Sequence, residues 1–429
     1  MTYNNKKFLL TGANGENYLL PFILITSLFF MWGMANNMTD TLLAAFKRIM
    51  SMTDFQTSLI QVAFYGSYFC FALPSAILIK KKSYKAGVLL GLTLYSAGCL
   101  LFLPAGALAN YGFYLVAIYI LAGGCSILET SANPYILRMG PEESATRRLN
   151  LAQAFNPIGS ITGILLSQFF ILGELNSADS TQRATMTQQQ LELIQAKELD
   201  AVTTTYVYVG IALLVLLALV VLRKMPSFSD GEALKFDTTC KRLAKNKRYV
   251  FGVIAQFFYV GAQIGVWSYT IRYVMLHLNC NEKEAASVYL VSIAGFTLAR
   301  FGFTALMKYL SPSLLLAMAS AAAIVASGVV VCAGGMMGIV ALVCISVCMS
   351  LMFPTIYGIA MYKLGDATQL GGSGLIMAIL GGAALTAIQG LVSTSTGSVN
   401  YSYIVPLVCF AVVGLYGLWV RRIKDENND

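Results

Sequence analysis

The stretch ATQLGGSGLIMAILGGAALTAIQGLVSTSTGSVNYSYIVPLVCFAVVGLYGLWV (367–420) contains no Asp, Glu, Lys or Arg. One helical crossing of a bilayer takes about 20 apolar residues, so this segment holds two crossings joined by a turn. The turn residues run from Thr394 to Asn400. Two other stretches, 86–128 and 309–362, are equally free of charge and turn at Pro104 to Gly112 and at Gly334-Gly335. None alternates with period 2, as a barrel strand would, so the runs read as helices.

Composition agrees. The chain has 429 residues, of which 57% are hydrophobic and 11% charged, with a mean hydropathy of +0.69. A soluble domain carries about 25% charged residues. Only helices and closed barrels span lipid, because every backbone polar group there must find its partner within the protein. The net charge of +9 does not point to nucleic acid, because the basic residues gather in short loops between apolar runs. The cysteines fall mostly inside those runs, which points to free thiols and no disulfide framework. The N-terminus lacks a cleavable signal pattern, so the first hydrophobic run is expected to stay.

Twelve spans are predicted: 18–46, 55–80, 84–106, 110–138, 148–174, 202–223, 247–277, 284–308, 312–332, 337–363, 370–394 and 400–422. They split into a six-helix bundle over 1–223, a hydrophilic linker over 224–246, and a second six-helix bundle over 247–429. Lys80–Lys82, Arg138, Arg147, Arg148, Lys308, Lys363, Arg421 and the linker basics share one side. That side is cytoplasmic by the positive-inside rule, which puts both termini there. The long outer loop (173–203) contains TMTQQQLELIQAKELDAV, read as a short amphipathic surface helix. The halves echo each other. Arg138-Met139-Gly140-Pro141 ends span four and Lys363-Leu364-Gly365-Asp366 ends span ten, while FFMWGMANN in span one is matched by FFYVGAQIG in span seven. Parallel six-helix repeats place a substrate site between the halves near the midplane.

Two carboxylates stand within apolar runs: Asp40 in span one and Glu129 in span four. An acid at that depth costs at least about 2.5–3.5 kcal/mol and often relays protons. The competing reading is a protonated carboxyl used only for packing. Asn37 precedes Asp40 by three residues and Asn133 follows Glu129 by four, so each acid has an amide on its own helical face. Span five repeats the theme with Asn150, Gln153 and Asn156 at i, i+3 spacing. Amides both donate and accept, which suits sugar hydroxyls, though polar residues also glue membrane helices together. Asn150, nearer the inner end, reads as structural. Span seven sets Gln256, Tyr259, Gln263 and Trp267 on one stripe. An indole or phenol offers a pyranose ring an apolar face and a polar edge, and an aromatic packing stripe is the alternative. Gly87/Gly91, Gly159/Gly163 and Gly261/Gly265 permit close helix contact, and Pro134, Pro157 and Pro354 can kink their helices. Arg300 and Arg272 are read as snorkelling toward opposite ends of their helices, and His277 as solvated. No phosphate loop, zinc spacing or deep histidine is present to make an enzyme site, and no cofactor is implied beyond a proton as coupling ion.

The strings FFMWGMANNMTD, FQTSLIQVAFYGSYF, SYKAG, LETSANPYI, RLNLAQAFN, AQFFYVGAQIGVWSYTIRY and FPTIYG resemble the fucose–galactose–glucose:proton symporters of the major facilitator superfamily. The resemblance runs over nearly all twelve spans. It implies an all-α alternating-access symporter that imports L-fucose or a related pyranose with a proton, works as a monomer in lipid and binds no nucleic acid. It also implies that Asp40 and Glu129 are the two key carboxylates. One would act mainly in proton coupling and one mainly in sugar recognition, with Asn37, Gln153 and Asn156 as cavity amides. Two departures stand out. AILIKKKSYKAG lacks the acid usual between spans two and three of the superfamily, and Thr39 in ANNMTD replaces an amide of the family pattern. An exporter of apolar compounds needs fewer amides, and a sugar sensor on this scaffold usually carries a longer tail than the few residues after span twelve.

Overall fold

A computed structural model of the chain describes residue 10, residues 16–228 and residues 236–426, except 51, 53, 172, 173, 175–182, 184 and 281. Among the described residues twelve helical passages follow one another, with a short helix, Phe236–Lys245, between the sixth and the seventh. They are Leu19–Ile49, Asp54–Lys81, Tyr84–Leu100 continued by Phe102–Leu108, Tyr111–Arg138, Ala145–Gln153 followed by Asn156–Phe170, and Gln188–Leu222. Then come Lys247–Leu278, Glu282–Leu306, Pro312–Cys332, Gly335–Met349 followed by Met352–Ala360, Thr368–Met377 followed by Gly381–Thr396, and Val399–Ser402 followed by Ile404–Glu426. These are spans one to twelve below. Among the described residues, ten are long and apolar enough to cross a bilayer, with a shorter apolar helix over Leu19–Ala35.

The chain packs as two compact units. The first comprises Met1–Phe22, Asn133–Ala154 and Asp230–Asp429; the second comprises Ile23–Ala132 and Phe155–Ser229. The inner ends of spans four and five, residues 133–154, therefore pack with spans seven to twelve.

Span six differs from expectation. The outer amphipathic segment is not a separate surface helix but the first turns of Gln188–Leu222. Thr187 and Gln190 form a capping box that starts the helix, and no Gly or Pro interrupts it before Gly210. Glu198, about three turns into this helix, is buried and pairs with buried Arg183 through two bonds of 2.9 and 2.5 Å. Gln195 donates to the Ile49 carbonyl at the end of span one (2.8 Å).

Three of the prolines behave differently. Pro134 lies inside the unbroken helix of span four. Span five breaks at Ala154–Phe155, just before Pro157, and span ten breaks at Ser350–Leu351, just before Pro354. At the C-terminal end of span four a different device closes the helix. Arg148, fully buried, donates to the carbonyls of Ile136 (2.9 Å), Leu137 (2.6 Å) and Pro141 (3.1 Å). A guanidinium fork suits several orphan carbonyls at a helix C-terminus, where the dipole also favours a cation. Gly140 after span four and Gly365 after span ten take positive φ, 138° and 54°, so the sequence echo at these two turns is a shared backbone requirement.

Close crossing holds spans one and five together in the second unit. A Cβ on Gly159 would stand 1.9 Å from the Phe30 carbonyl oxygen. The first unit repeats the device between spans seven and eleven, where a Cβ on Gly381 would stand 2.1 Å from the Phe257 carbonyl oxygen. Gly159→Ala must push span one aside and should cost about 1–3 kcal/mol, whereas Gly302→Ala, with nothing within 4 Å of the added carbon, should be neutral or slightly stabilising. Thermal unfolding of the two detergent-purified variants checks this. Glu198→Gln leaves Arg183 as a buried charge missing its carboxylate and should lower stability by about 3–5 kcal/mol, read in the same assay.

Candidate substrate and proton site

In the second unit, span one is the element that carries Asn37 and Asp40. Its middle turns are tied down by polar side chains that reach backbone carbonyls. Tyr95 donates to Met31 O (2.9 Å), Asn156 donates through Nδ2 to Phe29 O (3.2 Å), and Ser160 reaches Gly33 O (3.4 Å). Asn37 turns its Nδ2 back to Gly33 O (3.2 Å) and is half-buried. The structure thus brings Asn37 and Asn156 to the same two turns of span one. Asp40 continues that helix one turn on, and its side chain lies outside the described residues. Glu129 is 3% exposed on span four, beside fully buried Thr130 and Ser131. Trp32, which sequence reasoning passed over as an ordinary apolar residue, is half-buried and donates its indole N–H to the Tyr68 hydroxyl. Its signal was available: an indole N–H at bilayer depth requires an acceptor.

In the first unit, Gln153 and Asn133 meet directly, Gln153 Nε2 donating to Asn133 Oδ1 at 2.7 Å. Both are buried. Asn150 donates to Thr146 O (3.0 Å) and to Thr355 Oγ1 on span ten (3.2 Å), a bracing role that fits its structural reading. The span-seven stripe divides. Gln263 and Trp267 are half-buried. Trp267 donates to Ser346 Oγ (3.3 Å) and packs its ring against Phe296 at 5.1 Å between centroids. Tyr259 is fully buried and spends its hydroxyl on Met349 O (3.0 Å). Gln256 is fully buried with both amide atoms lacking a hydrogen-bond partner among the described residues.

Two basic groups depart from expectation. Arg300 does not snorkel. It is 3% exposed, donates to the Ser350 carbonyl and to Gln153 O (2.9 Å), and lies over the Phe296 ring at 4.6 Å. The carbonyls it finds at depth make reaching for water unnecessary. Arg272 is exposed and stacks over Tyr269 at 5.5 Å. His277 is half-buried rather than solvated, with Nε2 2.9 Å from Asn400 Oδ1 and its ring 4.3 Å from Tyr273.

Chemically, the second unit offers a buried carboxyl (Glu129), amides (Asn37, Asn156) and a half-buried indole (Trp32), and the first offers amides (Asn133, Gln153, Gln263) and a half-buried indole (Trp267). Amides donate and accept hydrogen bonds, and a carboxyl can take up and release a proton. The sequence matches the Major Facilitator Superfamily over residues 23–387. The chain belongs to the Major Facilitator Superfamily. An L-fucose-proton symporter of Haemophilus influenzae is 40% identical to this superfamily member over 421 residues, 95% of this chain and 98% of its own. A glucose/galactose transporter of Brucella abortus is 32% identical over 408 residues, 95% of each chain. The crystal structure of the Major Facilitator Superfamily transporter FucP in its outward conformation aligns with a TM-score of 0.89 and 36% identity, covering 94% of this chain and 99% of that one. The chain is thus a multi-pass membrane transporter of the superfamily and not an enzyme.

Gln256 offers a direct measurement. Burying an amide with neither atom paired costs about 1–3 kcal/mol. Gln256→Met should therefore raise the melting temperature of the transporter. If Gln256 serves transport, uptake should fall as stability rises.

Proposed function

We propose that this chain is a proton-coupled sugar symporter that imports L-fucose. The similarity to L-fucose-proton symporters along 95% of the chain carries the reading, together with a buried carboxyl and amides on spans that pack to atomic contact. In this mechanism a proton from outside neutralises Asp40, which sits nearer the outer end of its helix. Sugar hydroxyls then pair with Asn37, Asn156, Gln153, Asn133 and Gln263, with Glu129 as an acceptor and with Trp267 as an apolar platform. Tyr259, fully buried, bonded to Met349 O and set edge-on against Phe353, has a structural part in this reading and not a sugar contact. Neutralising the acid removes the cost of carrying a bare charge through the low-dielectric step, so only the loaded or the empty carrier changes the side it faces. Glu129, about nine residues from the inner end of span four or roughly 13 Å, meets the proton on the way to release. One charge moved through 100 mV supplies about 2.3 kcal/mol, enough for about fiftyfold accumulation per proton. The same reading places the carrier in a bacterial inner membrane with both termini cytoplasmic. It has a monomer as the working unit, with two six-helix halves of which the second begins near Lys247.

A glucose- or galactose-type specificity is the second reading. It is favoured by Thr39, which replaces a longer amide one residue before Asp40, and by the 32% identity to a glucose/galactose transporter.

Purified protein in sealed liposomes with an acid-outside pulse tests the proposal. L-fucose should accumulate inside, and galactose and glucose should compete more weakly. Downhill movement without accumulation would overturn proton coupling. Asp40→Asn should abolish accumulation while preserving fucose exchange, because a permanently neutral side chain mimics the protonated state. Glu129→Gln should weaken fucose binding by about tenfold or more, about 1.4 kcal/mol, measured by calorimetry.

A further inference from the structure

Proline leaves a mark four residues before itself: it has no N–H to give the carbonyl there, and its ring pushes that carbonyl off the helix. For Pro157 the freed carbonyl belongs to Gln153, and for Pro354 it belongs to Ser350. In lipid such a carbonyl has no water to turn to. Both carbonyls lie in the first unit, and both receive hydrogen bonds from one side chain, Arg300 of span eight. Its guanidinium is 3% exposed and has no carboxylate within ion-pair distance among the described residues. A buried charge with neither water nor counter-ion is costly unless strong acceptors surround it. Two helix C-terminal carbonyls, each at the negative end of its helix, and the Phe296 ring are those acceptors.

We propose that Arg300 is the positioning residue of the cytoplasmic closure, a fixed fork that joins the proline-freed carbonyls of spans five and ten. Around the fork, residues 133–154 are pinned to spans eight and ten by weaker contacts. Arg147 donates to Thr304 O (3.2 Å), Asn150 donates to Thr355 Oγ1 (3.2 Å), and the Lys363 N–H donates to Glu142 Oε1 (3.1 Å). A Cβ on Gly358 would stand 2.6 Å from Thr146 Oγ1, so the surfaces meet without a gap. Releasing sugar to the cytoplasm requires residues 133–154 to part from spans eight and ten. Arg300 must then let go of Gln153 while keeping Ser350. Because Gln153 also presents its amide toward Asn133, the fork sets the height of a proposed sugar contact through that residue's own backbone. This role rests on the symport reading, but the closure itself does not depend on which sugar is carried.

The test uses the full-length chain with Thr355→Cys. Position 355 is fully exposed to no solvent while Asn150 covers it. Maleimide labelling is followed on inverted membrane vesicles, as the increment over the same chain with Thr355 intact. Arg300→Gln keeps a donor but reaches only one carbonyl. Losing one charge-assisted bond should speed labelling about tenfold, and should weaken the apparent affinity for external radiolabelled L-fucose by a similar factor while maximal exchange persists. Arg300→Lys, a point charge without a fork, should fall between Gln and the parent on both readouts. It decides the question if the Gln variant is not recovered from membranes. Parental labelling in both variants overturns the proposal. So does a loss of affinity without faster labelling, which would make Arg300 a sugar contact instead. If the parent exchanges no fucose, the symport reading fails while the labelling rates still report on the closure.

Discussion

The deepest constraint on this chain is that a carbonyl inside the membrane must be given a donor by the protein itself. Ordinary helices meet it automatically. Helices interrupted by proline do not, and spans five and ten each leave a carbonyl stranded at depth. The chain answers with arginine, whose several donors in a rigid plane can serve more than one oxygen. Arg300 serves the two proline breaks, and Arg148 serves the C-terminal end of span four with bonds to three carbonyls. Arg300 has no carboxylate within ion-pair distance among the described residues, and both guanidiniums bond carbonyls at the negative ends of helices.

That solution shapes everything around it. A guanidinium that bonds two broken helices fixes their ends relative to span eight, and so fixes where Gln153, Asn150 and Trp267 stand. Asn150 then reaches Thr355, and Trp267 reaches Ser346. In the second unit the same need is met differently. There the carbonyls of Phe29, Met31 and Gly33 on span one each accept an extra bond from a hydroxyl or an amide. Those carbonyls already have helical partners, so the added bonds do not rescue orphans. They lock the register of the helix that carries Asn37 and Asp40, helped by a glycine crossing that lets span five lie against the backbone. If the proposed roles hold, residues positioned in this way need little reorganisation when a solute arrives, which is the condition for spending interaction energy on recognition.

The spans were legible because hydropathy and charge dominate their energetics; charge-free stretches and basic loops leave one solution. Fine structure was legible only where one residue decides alone. Pro157 and Pro354 mark the breaks, and Gly140 and Gly365 mark the turns. Span six was misjudged because polarity signalled a surface helix, while helical continuity is decided by the absence of Gly and Pro and by the cap at Thr187. Arg300 was misjudged because hydropathy assigns an arginine near a helix end to water. Its real partners are backbone oxygens that no composition scale sees, although the positions of the two prolines name them. Tyr259 and Trp267 share a stripe, yet one is sealed in the core and the other half-exposed. A stripe gives the direction of a side chain but not how far the neighbouring helix stands from it.

A division of labour follows from the chemistry of the charged groups. A guanidinium keeps its proton across the whole physiological range. The bonds Arg300 makes to Gln153 and Ser350 are therefore the same at acid and neutral pH, and the closure they form cannot itself sense protons. Carboxyls are the opposite case, since burial and neighbours move their proton affinity across that range. On the symport reading, the pH dependence of transport enters through the proposed proton carriers Asp40 and Glu129, and acts by changing how costly it is for the carrier to change sides, not by weakening the arginine fork. On this reading a pH-independent latch with a pH-dependent load gives coupling without leak: the fork is the same at every pH, and the carrier that does not change sides is the one holding the proton without sugar or sugar without the proton.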